Sequence, residues 1–504
     1  MRKHWVLDHS NPYLLNNFSP VFDEIVVDDL KVIGKLPARL NGTYLRNGPN
    51  PRFPPKGSYH WFDGDGMIHG VTIKNGRASY RNRFIATEGF LHEGKQGRSL
   101  WSGLTGYPNI RQILFPPNGL RTKNVANTAL VWHAGKLLAL WEVGEPYEVQ
   151  LPGLKTIGSF DLGLPLNTFT AHPKIDASSG EMLFFGMQLG PRPKLQYGVA
   201  DKSGQITHTA QIRMSENVFM HDFAITENYT IFMDLPYTFS LKSMVTKGKP
   251  FSFNPSRPAR FGIMPRYGNS TNIIWFEDAP CYIYHTMNAY EVPGNDGVTE
   301  VIVLIASRME RGSIAQPTHG NNIKQGNHKK EQLVRLEDEN MPLLHEWRFN
   351  LRTGVIKCSQ IDDSPNDFPR LNDRLMGFRN RYGYTANLHV DRRTGTPHFA
   401  GVTKYDLDTK LSASHIYGSN RYGGEAVFVP NVTSTASNIN RSTTVESEDD
   451  GWLLNYVFDT ETGTSELVVL DAKTMDDEPV ARVILPRRVP YGFHGTWIPQ
   501  DFST

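Results

Sequence analysis

Short apolar runs rich in β-branched and aromatic residues recur along the chain, each cut off by a cluster of turn-forming residues. Ala129-Leu130-Val131-Trp132, Leu137-Leu138-Ala139-Leu140-Trp141, the stretch 299–306 and Leu467-Val468-Val469-Leu470 are of this kind. Long helical periodicity is scarce, so the pattern predicts a mostly antiparallel β protein. Asn75-Gly76 stands between two such runs and suits a tight two-residue hairpin turn.

One turn pattern repeats. Asp or Asn, any two residues, Ser or Thr, then Gly occurs at Asp176–Gly180, Asn350–Gly354, Asp391–Gly395 and Asp459–Gly463, with a shortened copy at Asp201–Gly204. Each copy follows one extended run and precedes another. An Asx turn closed by a glycine at positive φ accounts for the residue types. Hairpins recurring over 504 residues predict sheets repeated around an axis, a β-propeller. The same turns also occur in β proteins of other architectures.

Composition narrows the class. An apolar share of 39% with 11% aromatic residues supplies a large core, and 21% charged residues marks a folded chain. Fifty-three Lys and Arg against fifty-one acids leave a net charge of +2, which offers no concentrated basic surface and so no nucleic-acid partner. Two cysteines, Cys281 and Cys358, exclude a disulfide scaffold and a cysteine-based metal site. The first residues lack the apolar stretch of a secretory signal, and no run of about eighteen apolar residues exists to span a bilayer. The expectation is a single domain over 1–504, soluble and cytoplasmic, resting at most on a membrane surface. Arg308–Asn340 and Asn431–Asp450 are polar enough to be surface insertions.

Four of the seventeen histidines stand in runs that should be buried on at least one face. His172 lies in Thr168-Phe169-Thr170-Ala171-His172-Pro173, and His221 in Val218-Phe219-Met220-His221-Asp222-Phe223. His285 lies in Tyr282-Ile283-Tyr284-His285-Thr286-Met287, and His494 in Tyr491-Gly492-Phe493-His494-Gly495-Thr496-Trp497. A terminus normally frays. Phe, His and Trp so near the chain end, after the apolar run Arg482–Pro486, indicate an end tied into the core. A buried neutral imidazole needs partners for both nitrogens, and a metal on one with a carboxylate on the other satisfies both. Intervals of 49, 64 and 209 residues exclude a compact zinc motif but fit ligands delivered from separate blades to one axis. Spacing alone does not single these four out.

Rival signals are weaker. Gly64-Asp65-Gly66-Met67-Ile68-His69-Gly70 resembles a phosphate-binding loop, but strand-forming Val71-Thr72-Ile73 follows where a helix should. His60 and His69 read as hydrogen-bonded turn residues rather than metal ligands. There is no nucleophile elbow, and neither cysteine has an activating neighbourhood.

Asn11-Pro12-Tyr13-Leu14, Asn17-Phe18-Ser19-Pro20-Val21, the stretch Leu40–Pro51 and the stretch His60–Gly70 resemble the opening of the carotenoid cleavage oxygenase family, and the four histidine segments resemble its ligand motifs in order. The resemblance spans essentially the whole chain. It implies a seven-bladed β-propeller, capped by loops and short helices, around an axial Fe(II) held by His172, His221, His285 and His494. It further implies Glu142, Asp367 and Glu425 as the acids that hold the free nitrogens of ligand histidines. Asp367 replaces the glutamate common in the family, and its shorter side chain is expected to reach its histidine less directly or through water. The implied reaction adds both atoms of O2 across a conjugated C=C bond of a carotenoid or apocarotenoid, releasing two carbonyl products without NADH or a 2-oxoacid.

In stilbene-cleaving relatives a lysine precedes the first of these glutamates; Trp141 stands there here, which suits an apolar polyene. Trp141, Phe169 and Phe493 are the candidate substrate wall, with core packing the rival reading for each. The apolar stretch 100–115, with Arg98, Arg111, Arg121 and Lys123 around it, could dip into a membrane leaflet or form a buried cap. A stilbenoid-cleaving enzyme and a non-catalytic carotenoid- or retinoid-binding propeller are the alternatives. Parallel assays with resveratrol and an apocarotenal separate the first, and metal analysis with aerobic against anaerobic turnover separates the second.

Overall fold

The computed structural model describes residues 7–103, 116–120, 122–164, 168–240, 243, 250–313, 340–391, 393–431 and 448–500. The apolar runs form antiparallel strands. Among the described residues these collect into seven blade sheets around one axis, the β-propeller expected from the turns and from the family resemblance, and a separate ribbon of Tyr237–Phe239 with Phe251–Phe253. Blade 1 is built from the strands between Gly42 and Phe84, blade 2 from those between Ala129 and Ser159, blade 3 from Lys174 to Arg213 and blade 4 from Ala224 to Asp278. Blade 5 runs from Tyr282 to Gln360, blade 6 from Asn366 to Ile416 and blade 7 from Arg421 to Ile484.

Both ends of the chain close the ring. The last strand, Gly495–Pro499, pairs antiparallel with Gly42–Pro49, placing Tyr44 opposite Trp497. Val32–Gly34 adds to blade 7 by pairing with Ala481–Ile484. Cores fill the gaps between blades. One apolar cluster joins blades 3, 4 and 5 through Phe185, Phe223, Phe261 and Trp347. Another joins blades 1 and 7 through Tyr44, Val71, Tyr456 and Leu467. Each such side chain contributes about 1.5–3 kcal/mol by leaving water.

The predicted turns are present. Asn75 and Gly76 take φ of 52° and 75° between paired Lys74 and Arg77, so both central residues are left-handed. In the repeated pattern the closing glycine donates its N–H to the carbonyl of the first residue at 2.7 Å in Asp176–Gly180 and Asp391–Gly395, 3.0 Å in Asn350–Gly354 and 2.9 Å in Asp459–Gly463. Those glycines have φ between 68° and 75°. Asp406–Lys410 and Asp471–Met475 make the same turn, with Lys410 and Met475 at φ of 58° and 54°.

Two expectations change at their edges. Arg308 is no loop residue but lies in the strand Thr299–Met309; the middle of that insertion lies outside the described residues. Asn431 and Asp450 are joined by a backbone hydrogen bond of 2.9 Å at the base of a hairpin, and residues 432–447 lie outside the described residues. In the stretch 100–115, Leu100 and Trp101 are buried, and the indole of Trp101 donates to the Leu120 carbonyl at 3.0 Å; residues 104–115 lie outside the described residues. Among the described residues no helix is long and apolar enough to cross a membrane.

Candidate metal centre

Inner strands of neighbouring blades meet at the junctions of blades 7 and 1, 1 and 2, 4 and 5, and 5 and 6, and the starts of the inner strands ring the axis. Polar residues sit there in every blade. His494 precedes Gly495–Pro499, Thr128 precedes Ala129–His133, and His172 precedes Lys174–Ile175. His221 precedes Ala224–Ile225, His285 lies within Tyr282–Pro293, Asp367 within Asn366–Arg370, and Glu425 precedes Val427–Pro430. Glu142 follows the second strand of blade 2 instead.

Two of these strands are irregular where the side chain must turn inward. In Tyr282–Pro293 the register slips between Ile283 and Thr286, so three residues oppose two on the partner strand and His285 swings to the axis. In Asn366–Arg370 the register slips between Asp367 and Arg370, with Phe368 held at φ 51°. That conformation costs a non-glycine residue about 1–3 kcal/mol and persists only where the surroundings enforce it.

The structure brings His172, His221, His285 and His494 together, with one nitrogen of each within 4.8 Å of the others. Nε2 of His221 is 3.0 Å from Nε2 of His172 and 3.3 Å from Nε2 of His285. Two nitrogens each about 2.1 Å from one ion and at right angles to it stand about 3 Å apart. Three rings present Nδ1 to an acid. Asp367 Oδ1 is 2.7 Å from His285, Glu425 Oε1 is 2.9 Å from His494, and Glu142 Oε1 is 2.5 Å from His221. Glu142 stands off the ring's N–H direction, so its hold on His221 is the least directed of the three. Asp367 therefore reaches its histidine directly; the bulge at Phe368 carries the backbone inward and makes up for the missing methylene. Among the described residues no carboxylate contacts His172.

With Nδ1 of His285 bonded to Asp367 and Nδ1 of His221 facing Glu142, both protonated toward their acids, the Nε2 atoms of His221 and His285 both carry lone pairs, and they face each other at 3.3 Å. Two such lone pairs in a buried site repel unless a cation lies between them. The donor set therefore fits a metal ion.

Electrostatics favour ionised acids at Glu142 and Glu425 and neutral rings at His172 and His494, with His285 the exception. Burial opposes ionisation of Glu425, but Arg370, His494 and the Gly495 N–H outweigh it and hold its carboxyl down at about 2. Arg370 donates to Glu425 at 3.2 Å and the Gly495 N–H at 2.8 Å. Burial resists charge on Glu142 too, and His221 overcomes it, so this acid is also lowered. Burial and the neighbouring rings push His172 well below the usual histidine range. Burial lowers His494 despite Glu425, whereas Asp367 outweighs burial at His285 and raises it.

The centre opens on two sides. His221, His285 and His494 face a narrow cavity of about 210 Å³ walled by Trp61, Phe62, Trp141, Phe219, Phe399 and Phe493. His172, His285 and His494 face a polar chamber of about 950 Å³ that includes Lys174, Asp222, Arg370 and Arg374. Of the three expected wall residues, Trp141 and Phe493 line the apolar cavity. Phe169 does not. It is 1% exposed and stacks on Phe184, ring centres 4.9 Å apart, in the core between blades 2 and 3.

Phe368 went unnoticed in the sequence, yet its ring lies 5.2 Å from that of His285 and 5.3 Å from that of His494. Thr128, also missed, donates to Asn127 at 3.1 Å and to Glu142 at 3.4 Å. A threonine opening a strand carries no signal by itself. His60 and His69 are both hydrogen-bonded as expected, but only His60 is at a turn, accepting from the Phe62 N–H at 3.1 Å; His69 lies within the strand Gly66–Lys74 and pairs with the Tyr80 hydroxyl at 2.7 Å.

The profile of the RPE65 family, described as retinal pigment epithelial membrane protein, matches residues 18–499. The chain belongs to this family, that of the carotenoid cleavage oxygenases. As a carotenoid cleavage oxygenase it is 41% identical to carotenoid 9,10(9',10')-cleavage dioxygenase 1 of Pisum sativum, over 98% of this chain and 91% of the pea protein. Its fold matches the crystal structure of Pseudomonas brassicacearum lignostilbene dioxygenase with a TM-score of 0.83 at 28% identity, covering 97% of this chain and 98% of that one. A variant of Synechocystis apocarotenoid oxygenase gives a TM-score of 0.81 at 26% identity over 96% and 98%. The axial cluster in this carotenoid cleavage oxygenase is thus set in a propeller shared with enzymes of oxidative cleavage.

Proposed function

We propose that this chain is an Fe(II)- and O2-dependent dioxygenase that cleaves one conjugated C=C bond of a carotenoid or apocarotenoid into two carbonyl products. His172, His221, His285 and His494 would hold the iron, with Glu142, Asp367 and Glu425 fixing three of the rings. The facing Nε2 lone pairs of His221 and His285 carry the metal reading. Bound there, ferrous iron supplies a centre that activates O2.

The chain's own residues do the rest. Four neutral imidazoles leave the dication uncompensated, and the three carboxylates just outside them, one of them paired with Arg370, balance it. Trp141, Phe62 and Phe493 offer flat apolar surfaces that orient a rod-like polyene and keep water from it. The alkene provides the electrons: its C=C bond and the O–O bond break, two C=O bonds form, and no further reductant is consumed. No lysine or arginine lines the apolar cavity among the described residues, which favours a polyene over a phenolic stilbene.

The test is turnover of the iron-loaded protein under 18O2 with an apocarotenal, β-carotene and resveratrol in parallel. We expect two carbonyl fragments from a polyene, each carrying one labelled oxygen. Polyene binding without oxygen-dependent cleavage overturns the reading in favour of a carrier, and cleavage of resveratrol alone shifts it to stilbenoids.

A further inference from the structure

Beside the histidines lies a buried polar network that the metal reading does not use. Lys174 Nζ is 2.7 Å from Asp222 Oδ1 and donates to the Thr286 hydroxyl at 3.3 Å. Asp222 Oδ2 accepts from both the backbone N–H and the hydroxyl of Thr286, each at 2.8 Å. Asp222 Oδ1 also accepts from the Phe223 N–H at 2.7 Å. All three residues are buried, Asp222 to 1% exposure, and all three border the polar chamber.

Their places in the chain are what matter. Lys174 is two residues after His172, Asp222 directly follows His221, and Thr286 directly follows His285. The three segments open the inner strands of blades 3, 4 and 5, which have no hydrogen-bonded ladder between them. Thr286 also sits at the register slip that turns His285 inward, so its N–H contact with Asp222 anchors the bulge itself.

We propose that Lys174, Asp222 and Thr286 form a brace that sets the spacing of His172, His221 and His285, and so act as positioning residues for the metal centre. The inference rests on the metal reading above. A buried ion pair is weak evidence for stability, because apolar residues of equal volume often do as well. Its value here is geometric. Each member is one or two residues from a ring nitrogen that must fall within a few tenths of an ångström of its place for four donors to share one ion. The acids on Nδ1 orient rings, whereas the brace fixes the backbones that carry them. It is also the polar partner network adjoining His172, which has no carboxylate of its own among the described residues.

The test is Co(II) binding to the metal-free full chain, followed by chelator competition and by the visible ligand-field band, with melting temperature measured alongside. Thr286→Val keeps the shape and removes the hydroxyl. Lys174→Met and Asp222→Asn break the ion pair, and the asparagine oxygen still accepts from the Thr286 N–H. We expect Lys174→Met to weaken Co(II) by roughly 10- to 100-fold, the range seen for outer partners of metal ligands, and to shift the band. Thr286→Val and Asp222→Asn should have smaller effects in the same direction. Lys404→Met breaks another buried pair, Lys404–Asp449 at 2.6 Å, and serves as the control. It should lower the melting temperature and leave affinity and band alone. Wild-type affinity and band in folded Thr286→Val and Asp222→Asn overturn the brace, as does an equal loss in Lys404→Met. Absence of Co(II) binding by the wild type overturns the metal reading itself, and the brace with it.

Discussion

The two ends of a blade are built on opposite principles. At the rim, a hairpin such as Asp459–Gly463 closes within five residues, its own aspartate accepting the Glu461 N–H at 2.9 Å and its glycine completing the turn. At the axis, no inner strand completes anything alone. His285 comes from blade 5 and its acid Asp367 from blade 6; His221 comes from blade 4 and Glu142 from blade 2; Glu425 on blade 7 holds His494 on the last strand of blade 1. Damage at the rim should therefore stay local and additive, while damage at the axis should spread through every partner in the ring.

The largest effect expected is at a ring nitrogen. His285→Ala removes one donor and takes from the half-buried Asp367 its imidazole partner, so iron content should fall to background and cleavage with it. Metal analysis and product detection on the same sample check this; full iron occupancy in a folded variant would contradict the shared-ion arrangement.

Next come the acids. Glu425→Gln keeps the volume and an acceptor for the His494 ring but removes the charge facing Arg370. Metal affinity should drop roughly 10- to 100-fold. The same variant has a pH signature in the metal-free protein. The folded value of Glu425 is about 2, below its ordinary 4.5, so its contribution to stability is present above pH 4.5 and is lost as pH falls toward 2. That contribution is roughly 3 kcal/mol. Glu425→Gln should therefore melt well below the wild type at neutral pH, and the gap should close as the solution is acidified from pH 4.5 downward. A gap that stays constant would show that the carboxylate's charge is not what holds this end of the ring.

The same contrast explains what could be read in advance. Rim turns are written in adjacent letters, and four full copies were legible because each ends in glycine. The turns at Asp406 and Asp471 were not, since Lys410 and Met475 take the left-handed position that the pattern reserves for glycine. At the axis, the histidines stood out because an imidazole inside an apolar run needs an explanation, and the surrounding words resemble a known family. Their partners were less visible. The direct contact of Asp367 depends on a bulge that no local signal announces, and the ring of Phe368 against two histidines depends on the same bulge. Phe169 had wall and core as rival readings, and it turns into the core between blades 2 and 3. Lys174, Asp222 and Thr286 meet across intervals that a single sequence does not connect.

A mid-sized effect separates the two ends cleanly. Asp459→Ala removes the side-chain acceptor of one rim turn, at Asp459–Gly463, while its backbone hydrogen bond can persist. The cost should be about 1 kcal/mol, that of losing a local side-chain to backbone hydrogen bond. It should appear as a small fall in melting temperature, with metal affinity and turnover unchanged. If iron binding weakened as well, the rim would not be independent of the axis.

The smallest effect has the opposite sign. Lys410 is exposed and closes its turn at φ 58°, donating its N–H to Asp406 at 2.7 Å. A residue with a Cβ is strained there, by about 1–2 kcal/mol relative to a right-handed conformation. Glycine relieves that strain but loses more backbone entropy on folding, which takes back about 0.5–1 kcal/mol. Lys410→Gly should therefore stabilise the protein by roughly 0.5–1 kcal/mol. Met475 holds the same conformation at φ 54°, but it is buried among Tyr384, Val468 and Leu470, and replacing it would remove apolar contacts worth more than the strain. The pair thus makes a paired measurement: Lys410→Gly raises the melting temperature and Met475→Gly lowers it, with metal affinity flat in both. A rise in both would mean that backbone strain outweighs packing at the rim, and a change in metal affinity in either would break the independence of the two ends.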